Sequence, residues 1–362
     1  MTSASDVVSV VSAVREQVRL ALEPYARVVL AVSGGADSMV MLDAAAAVAR
    51  QRIVAIATFD HGTGAHAERA ARLVERTGRA LGLEIVAGRA PATNERPTEA
   101  SWRAARWRFL SGIAAAHDAT VATAHTMNDQ VETVALRILR SAGARGLAGL
   151  AADSPVARPL LRVSRADVDA YVGARALDVA IDPSNAKRDH LRNRVRLDLL
   201  PALECARPGF AADLLDIGKR AAAWRHDLDA IAAGVHAFRD ATGAFHVAGA
   251  DLLGYDAEAL RALWPSLAAR AGVTLDRRGT WRVAQFTIRS APGAAMQLSG
   301  GFEVTRSREG FVLRSAVPRG GEVVAKGAAG GGGGRRHRLE SRGLSQRRGD
   351  RTARQAAEAL RG

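Results

Sequence analysis

The sequence predicts an α/β protein: a doubly wound parallel sheet followed by a second, smaller helical/α+β domain. Two patterns carry that expectation. Apolar runs of strand length at 27–33, 53–59, 83–87 and 119–124 alternate with helical spacing at 37–50, 65–82, 98–116 and 128–140. After the turn-forming pair Pro208-Gly209 the alternation stops, and an Ala-rich helical stretch to about residue 270 gives way to short β-like runs over 281–315. The implied organisation is a leading helix in 1–25, a parallel-sheet domain over 26–207, a second domain over 208–318 and a flexible, Gly/Arg-rich basic tail over 319–362.

The opening segment MTSASDVVSVVSAVREQVRLAL has amphipathic helical spacing over 5–24, broken by Asp6, Arg15, Glu16 and Arg19, so it reads neither as a secretory signal nor as a membrane span. A chain of 362 residues, 48% hydrophobic and 24% charged, can fill more than one core, which excludes a disordered class. Its net charge of +14 points to a polyanionic partner, nucleic acid first; the tail carries +7 of that excess and the remainder belongs to the folded part. The single cysteine, Cys205, permits no internal disulfide and no cysteine-built metal centre, which fits a reducing cytoplasm.

The polar turns between strands and helices hold the chemistry. RVVLAV reads as a buried strand and SMVMLDAAAAVA as a helix, so SGGADS is the turn between them. Gly34 and Gly35 let the backbone approach a ligand, the amides around Ala36 that open the helix favour an anion, and Ser33 and Ser38 add hydroxyls. No lysine follows the glycines, so this is not the common nucleotide P-loop. Asp37 stands there instead. A carboxylate beside a polyphosphate needs a bridging divalent cation, so the turn implies phosphate with Mg²⁺.

FDHG sets Asp60 and His61 at the end of the second strand, where a capped strand end or a ligand contact would use them equally. In EASWRAARWRF, Glu99, Arg103 and Arg106 share a helical stripe, which suits either a solvated ion pair or a bound phosphate. VATAH followed by TMNDQVETVALRILR brings His125 to a strand end and spaces Asp129 and Glu132 three apart at a helix start. Both carboxylates can face the sheet edge, or simply cap the helix. After the loop-rich GARGLAGL and DSPVARPL, helices resume through VSRADVDAYVGARAL and HLRNRVRLDLLPAL, the latter within IDPSNAKRDHLRNRVRLDLLPAL. Its DPSN makes a turn, and RNRVR offers Asn193 and the alternately facing Arg192, Arg194 and Arg196. In the second domain WRVAQFTI, AAMQLSG, FEVTR and GFVLRS are the β-like runs. In a doubly wound sheet the carboxyl strand ends form one edge, where SGGADS, FDHG and TAHTMND all fall.

SGGADS resembles the SGGxDS pyrophosphate loop of the ATP pyrophosphatases, the PP-loop superfamily with an adenine nucleotide alpha hydrolase-like fold. Its members split ATP between the α- and β-phosphates and activate a substrate oxygen as an adenylate. FDHG matches that family's Asp-His-Gly, with Thr63 and Gly64 where Leu-Arg is usual; EASWRAARWRF matches ExxxRxxRY, with Trp107 for Tyr; TAHTMNDQVET carries Asn128-Asp129 where Asp-Asp is usual. Together with DPSN and RNRVR, SGGADS resembles one family closely, tRNA(Ile)-lysidine synthetase. The likeness is strong over 26–205 and weak over 210–318.

The resemblance implies ATP and Mg²⁺ as cofactors, and as partners free L-lysine and an isoleucine tRNA with a CAU anticodon, with a homodimer allowed. It assigns Ser33 to Ser38, Asp60, His61 and His125 to the nucleotide, and Asp37, Asp129 and Glu132 to the metal. Asp37, Asp129, Arg103 and Arg106 become the catalytic set, and Glu99, Arg192, Asn193, Arg194 and Arg196 face tRNA or substrate. The competing readings are another PP-loop tRNA-modifying ligase or thiolase, which the lone cysteine disfavours, and a catalytically silent tRNA-binding relative.

Overall fold

Apolar β-strands wrapped on both faces by helices make up the first half of the chain. The computed structural model describes residues 4–60, 62, 64–90, 99–182 and 187–315. His61, Thr63, residues 183–186 of the DPSN segment, the side chain of Glu99 and the 319–362 tail lie outside the described residues. Strands β1 (Val28–Ala31), β2 (Ile53–Asp60), β3 (Ile85–Arg89), β4 (Thr120–Thr123) and β5 (Val156–Ala157) form a parallel sheet in the order β3-β2-β1-β4-β5.

Alternation along β1 sets the two helical layers. Val28 and Leu30 pack against α1 (Ala4–Leu22), α2 (Ala36–Val48), α3 (Ala65–Ala80) and α7 (Arg165–Arg175), through Val18, Leu42, Val74 and Tyr171. Val29 and Ala31 point the other way, onto Leu110 and Ala114 of α4 (Glu99–Ala116). Every side chain of β1 is buried, as a strand covered on both faces requires. Tyr171 is wholly buried but donates its hydroxyl to Asp43 at 2.7 Å; burial and that bond push its pKa up to about 12.

The four expected strands and the first five helices appear within about three residues of their sequence-based limits. β5 was not anticipated, because two residues are too few to show a period. Chain direction across the sheet reverses between β1 and β4, so a crevice opens at their carboxyl ends. SGGADS and the start of α5 (Met127–Leu139) border it.

The second half begins with α8 (Leu191–Arg194), a π-helical stretch over Val195–Leu199 and α9 (Leu200–Ala206). Pro201 has no N–H for the Leu197 carbonyl and its ring crowds that group, which explains why the helix widens there. Gly209, at φ 90°, then admits α10 (Phe210–Gly234), which packs against α5, the short α6 (Ala144–Leu147) and α11 (Ala257–Arg270). Strands β6 (Ala237–Arg239), β7 (Phe245–Ala248), β8 (Ala295–Leu298), β9 (Phe302–Arg306) and β10 (Gly310–Ser315) form an antiparallel sheet in the order β6-β7-β10-β9-β8. Its inner face packs on Leu260, Trp264 and Leu267 of α11 and Val283 of α12 (Arg277–Arg289).

Two expectations for this half need correction. WRVAQFTI is helix, not strand: Asp276 caps α12 through the Gly279 amide, and Gly279, Val283 and Ala284 line its buried side at helical spacing, which outweighs the β-propensity of Trp, Val, Phe, Thr and Ile. The helical reading of 210–270 misses the β6–β7 hairpin, whose turn Asp240 holds by accepting bonds from the Thr242 and Ala244 amides. Among the described residues no helix is long and apolar enough to cross a membrane.

Candidate active site

The crevice between β1 and β4 opens into a cavity of about 560 Å³. Its floor is the SGGADS turn. Ser38 holds the turn shut, its Oγ accepting from the Ser33 amide at 3.2 Å and donating to the Gly35 carbonyl at 2.9 Å. Gly34 has φ 87°, and a Cβ there would meet the Ala70 carbonyl at 3.0 Å, so the glycine is what lets α3 lie against the loop. Gly35 caps α2 with no side chain, which leaves the amides of the first turn directed at whatever enters the cavity.

Around this floor stand four carboxylates, Asp37, Asp129, Glu132 and Asp182, and four guanidinium groups, Arg106, Arg165, Arg192 and Arg196. The walls are therefore close to neutral. Asp37 forms an ion pair with Arg165, whose Nη1 lies 2.8 Å from Asp37 Oδ1. Burial raises the Asp37 pKa, Arg165 opposes this, and the charge of Asp129 adds to the rise.

Asp129 does two jobs. One oxygen accepts from the Thr126 amide at 2.8 Å in a capping box that starts α5, and the other accepts from Arg192 Nη2 at 2.7 Å. Arg192 Nε donates to Glu132 at 2.8 Å, and Arg196 Nε stands 3.7 Å from the same carboxylate. Burial lowers the Arg192 pKa, but Glu132 and Asp129 outweigh it, and the net shift is upward. Arg106 differs from these three arginines. It lines the cavity with no hydrogen bond or ion pair among the described residues, and burial, helped by the charge of Arg103, lowers its pKa.

The three carboxylates expected at a metal all line the cavity, Glu132 facing two arginines, Asp129 facing Arg192 and Asp37 facing Arg165. Several expected site residues take other places. Asp60 is used by its own loop, accepting from the Gly62 amide at 2.8 Å and pairing with Arg89 at 3.4 Å, outside the cavity lining. Arg103 is exposed and does not line the cavity. Within RNRVR the arginines face alternately, as expected: Arg192 and Arg196 share the cavity side and Arg194 points to solvent. Asn193 lines the cavity and donates to the Lys187 carbonyl at 2.7 Å.

Arg165 is the residue that sequence reasoning missed. Its signal was the SRAD capping box, in which Ser164 and Asp167 start α7, together with Asn128, whose Oδ1 accepts from the Arg165 amide at 2.8 Å. Asn128 thus fixes the helix that carries Asp37's partner. Gln130, buried, ties α5 to the next loop by donating to the Ala148 carbonyl at 3.0 Å and accepting from the Leu150 amide at 2.6 Å.

His125 lies behind the cavity, 2.9 Å from Thr123 Oγ1, and burial drives its pKa down to about 4. It is neutral at pH 7. Because the unfolded chain binds this proton near pH 6.5 and the folded one only near 4, stability is present above 6.5 and is lost as the pH falls toward 4, by about 3 kcal/mol. Urea unfolding of His125→Asn between pH 7 and 4 should show a correspondingly flatter loss than the wild type; an unchanged slope would contradict it.

Residues 9–203 match the PP-loop domain family, more than half of the chain. A tRNA(Ile)-lysidine synthase of Methylobacterium sp. is 38% identical over 253 residues, covering 67% of this chain and 71% of that one. The chain belongs to the tRNA(Ile)-lysidine synthase family. The family's Geobacter sulfurreducens synthase is 38% identical over 202 residues (53% of this chain, 43% of that one), and the Salinispora tropica synthase 40% identical over 207 (53% and 62%). The chain spans less than half the length of the Geobacter and the Burkholderia mallei synthases. The stretch that matches the PP-loop domain family holds the SGGADS turn, α5 and the arginine helix, so the whole cavity lies within it.

Proposed function

We propose that the chain is a tRNA(Ile)-lysidine synthetase acting in the cytoplasm, using ATP to adenylate the C2 oxygen of the wobble cytidine of the CAU-anticodon isoleucine tRNA and then joining free lysine to that carbon. The observation that carries this reading is one cavity holding an anion-ready glycine turn, the Arg106 guanidinium, without a partner among the described residues, and the arginine helix. Family membership supports the same chemistry.

In the first step the cytidine oxygen attacks the α-phosphorus. The bond to the β-phosphate breaks, and pyrophosphate leaves with the electron pair. The first-turn amides of α2 hold the phosphates, and Arg106 meets the charge that develops as they separate. In the second step an amine of lysine attacks C2, loses its proton, and AMP departs with the former carbonyl oxygen. A cytosine carbonyl is a poor electrophile, so the oxygen has to become a leaving group before an amine can displace it.

A triphosphate entering near-neutral walls needs a cation. Asp37, close to a second carboxylate whose charge raises its pKa and faced by the single cation of Arg165, fits Mg²⁺. Asp37 would hold it, with Asp129 sharing through its remaining lone pairs, and the ion would neutralise the departing pyrophosphate. Arg192 and Arg196 face both the acids and the incoming nucleotide, so they link RNA docking to the ATP side. With ATP, Mg²⁺ and the CAU-anticodon isoleucine tRNA but no lysine, a single turnover should release about one pyrophosphate per active site. Release that requires lysine would overturn the order of steps.

A further inference from the structure

A second cavity, of about 550 Å³, adjoins the first and shares with it His66 and the segment Val179–Ile181. The Ala180 amide donates to the Gly34 carbonyl at 2.8 Å, so this shared wall is stitched to the glycine turn itself. The far side of the second cavity is α3, where Arg69, Arg72 and Arg76 form one helical stripe. The acids of α3 are engaged elsewhere. Glu68 pairs with Arg72 and Arg89 and Glu75 with Arg79, so Arg69 and Arg76 have no ion-pair partner among the described residues. Ile181, on the wall between the cavities, is 81% exposed and so offers an apolar surface at the crest between them.

We infer that this groove carries the sugar-phosphate backbone of the RNA strand beside the target nucleotide, with Ile181 packed against the nucleotide where the strand crosses from one cavity to the other. The inference rests on the proposed function for its RNA. Seven helical residues separate Arg69 from Arg76, about 10 Å along the axis. That span is longer than one phosphate or a pyrophosphate bridges, and it suits successive phosphates of a strand. Target bases in RNA are read from unpaired loops, so the backbone on either side of such a base must run over the rim of the site that takes it. Here the rim on the α3 side is basic, and its crest is apolar.

The test is binding of unmodified CAU-anticodon isoleucine tRNA to the full chain at salt concentrations from about 50 to 200 mM. Arg69→Ala/Arg76→Ala should weaken binding at least tenfold and reduce the slope of log affinity against log salt by about 2. ATP affinity should stay within twofold, and Arg69→Lys/Arg76→Lys should restore both affinity and slope. Ile181→Ala should weaken binding with the slope unchanged. An unaltered affinity and slope in the alanine variant would overturn the inference. So would a parallel loss of inorganic pyrophosphate binding, which would assign the arginines to the leaving group. Because the readout is binding, it stays separate from the lysidine reading: lysine transfer with an unaltered slope removes only the groove, and a reduced slope without lysine transfer removes only the lysidine assignment.

Discussion

Asp37→Asn is expected to lower tRNA-dependent pyrophosphate release by about 10²–10³-fold, the scale on which loss of one transition-state charge contact is felt. The substitution keeps the shape of the turn and removes one negative charge. Asp37 faces one cation, Arg165 at 2.8 Å, whereas Glu132 faces two arginines and Asp129 accepts from both Arg192 and the Thr126 amide, so Asp37 keeps the most capacity for a further cation. The fold should survive, because the remaining partner, Arg165, has 28% of its side chain exposed and water can solvate it. Stopped-flow pyrophosphate detection checks the rate and thermal unfolding checks the fold. Near-wild-type turnover would remove Asp37 from the chemistry.

Arg192→Ala should cost both stability and turnover. It leaves Glu132, only 6% exposed, facing Arg196 at 3.7 Å, and returns one oxygen of Asp129 to the cavity without a partner. A fully buried pair broken this way would cost about 3–5 kcal/mol; with 42% of the Arg192 side chain exposed, about 1–3 kcal/mol is expected. Two neighbouring carboxylates without their guanidinium also repel a triphosphate, so ATP affinity should fall together with tRNA-dependent turnover. Arg194→Ala is the control: exposed and without an ion pair among the described residues, it should change stability by less than about 0.5 kcal/mol and leave ATP affinity intact. Equal effects of the two substitutions in urea unfolding and ATP titration would contradict the geometry.

What the sequence made legible follows from the period of each element. The parallel sheet could be read because strand and helix periods alternate over long, strongly apolar segments, and the glycine turn because SGG-x-DS has one backbone use. The metal set and the arginines could be read only in part. Spacing put Asp129 and Glu132 on one helical side, yet it could not show that Arg192, sixty residues downstream of Glu132, would occupy both. Arg165 was hidden for the same reason: its bond to Asp37 is tertiary, and its local signal is an ordinary capping box. WRVAQFTI misled because β-branched and aromatic residues sit comfortably on a helix whose buried side is a glycine, a valine and an alanine.

If this cavity activates a cytidine oxygen for displacement by lysine, the product is a lysine-bearing nucleoside at the wobble position. The most direct measurement is the nucleoside composition, by mass spectrometry, of the CAU-anticodon isoleucine tRNA after incubation with the full chain, ATP, Mg²⁺ and isotopically labelled lysine. The wobble cytidine should gain the mass of lysine less one water, carry the label, and do so only with ATP. An unlabelled cytidine despite ATP consumption, or incorporation of a different amine or of sulfur at that position, would contradict it.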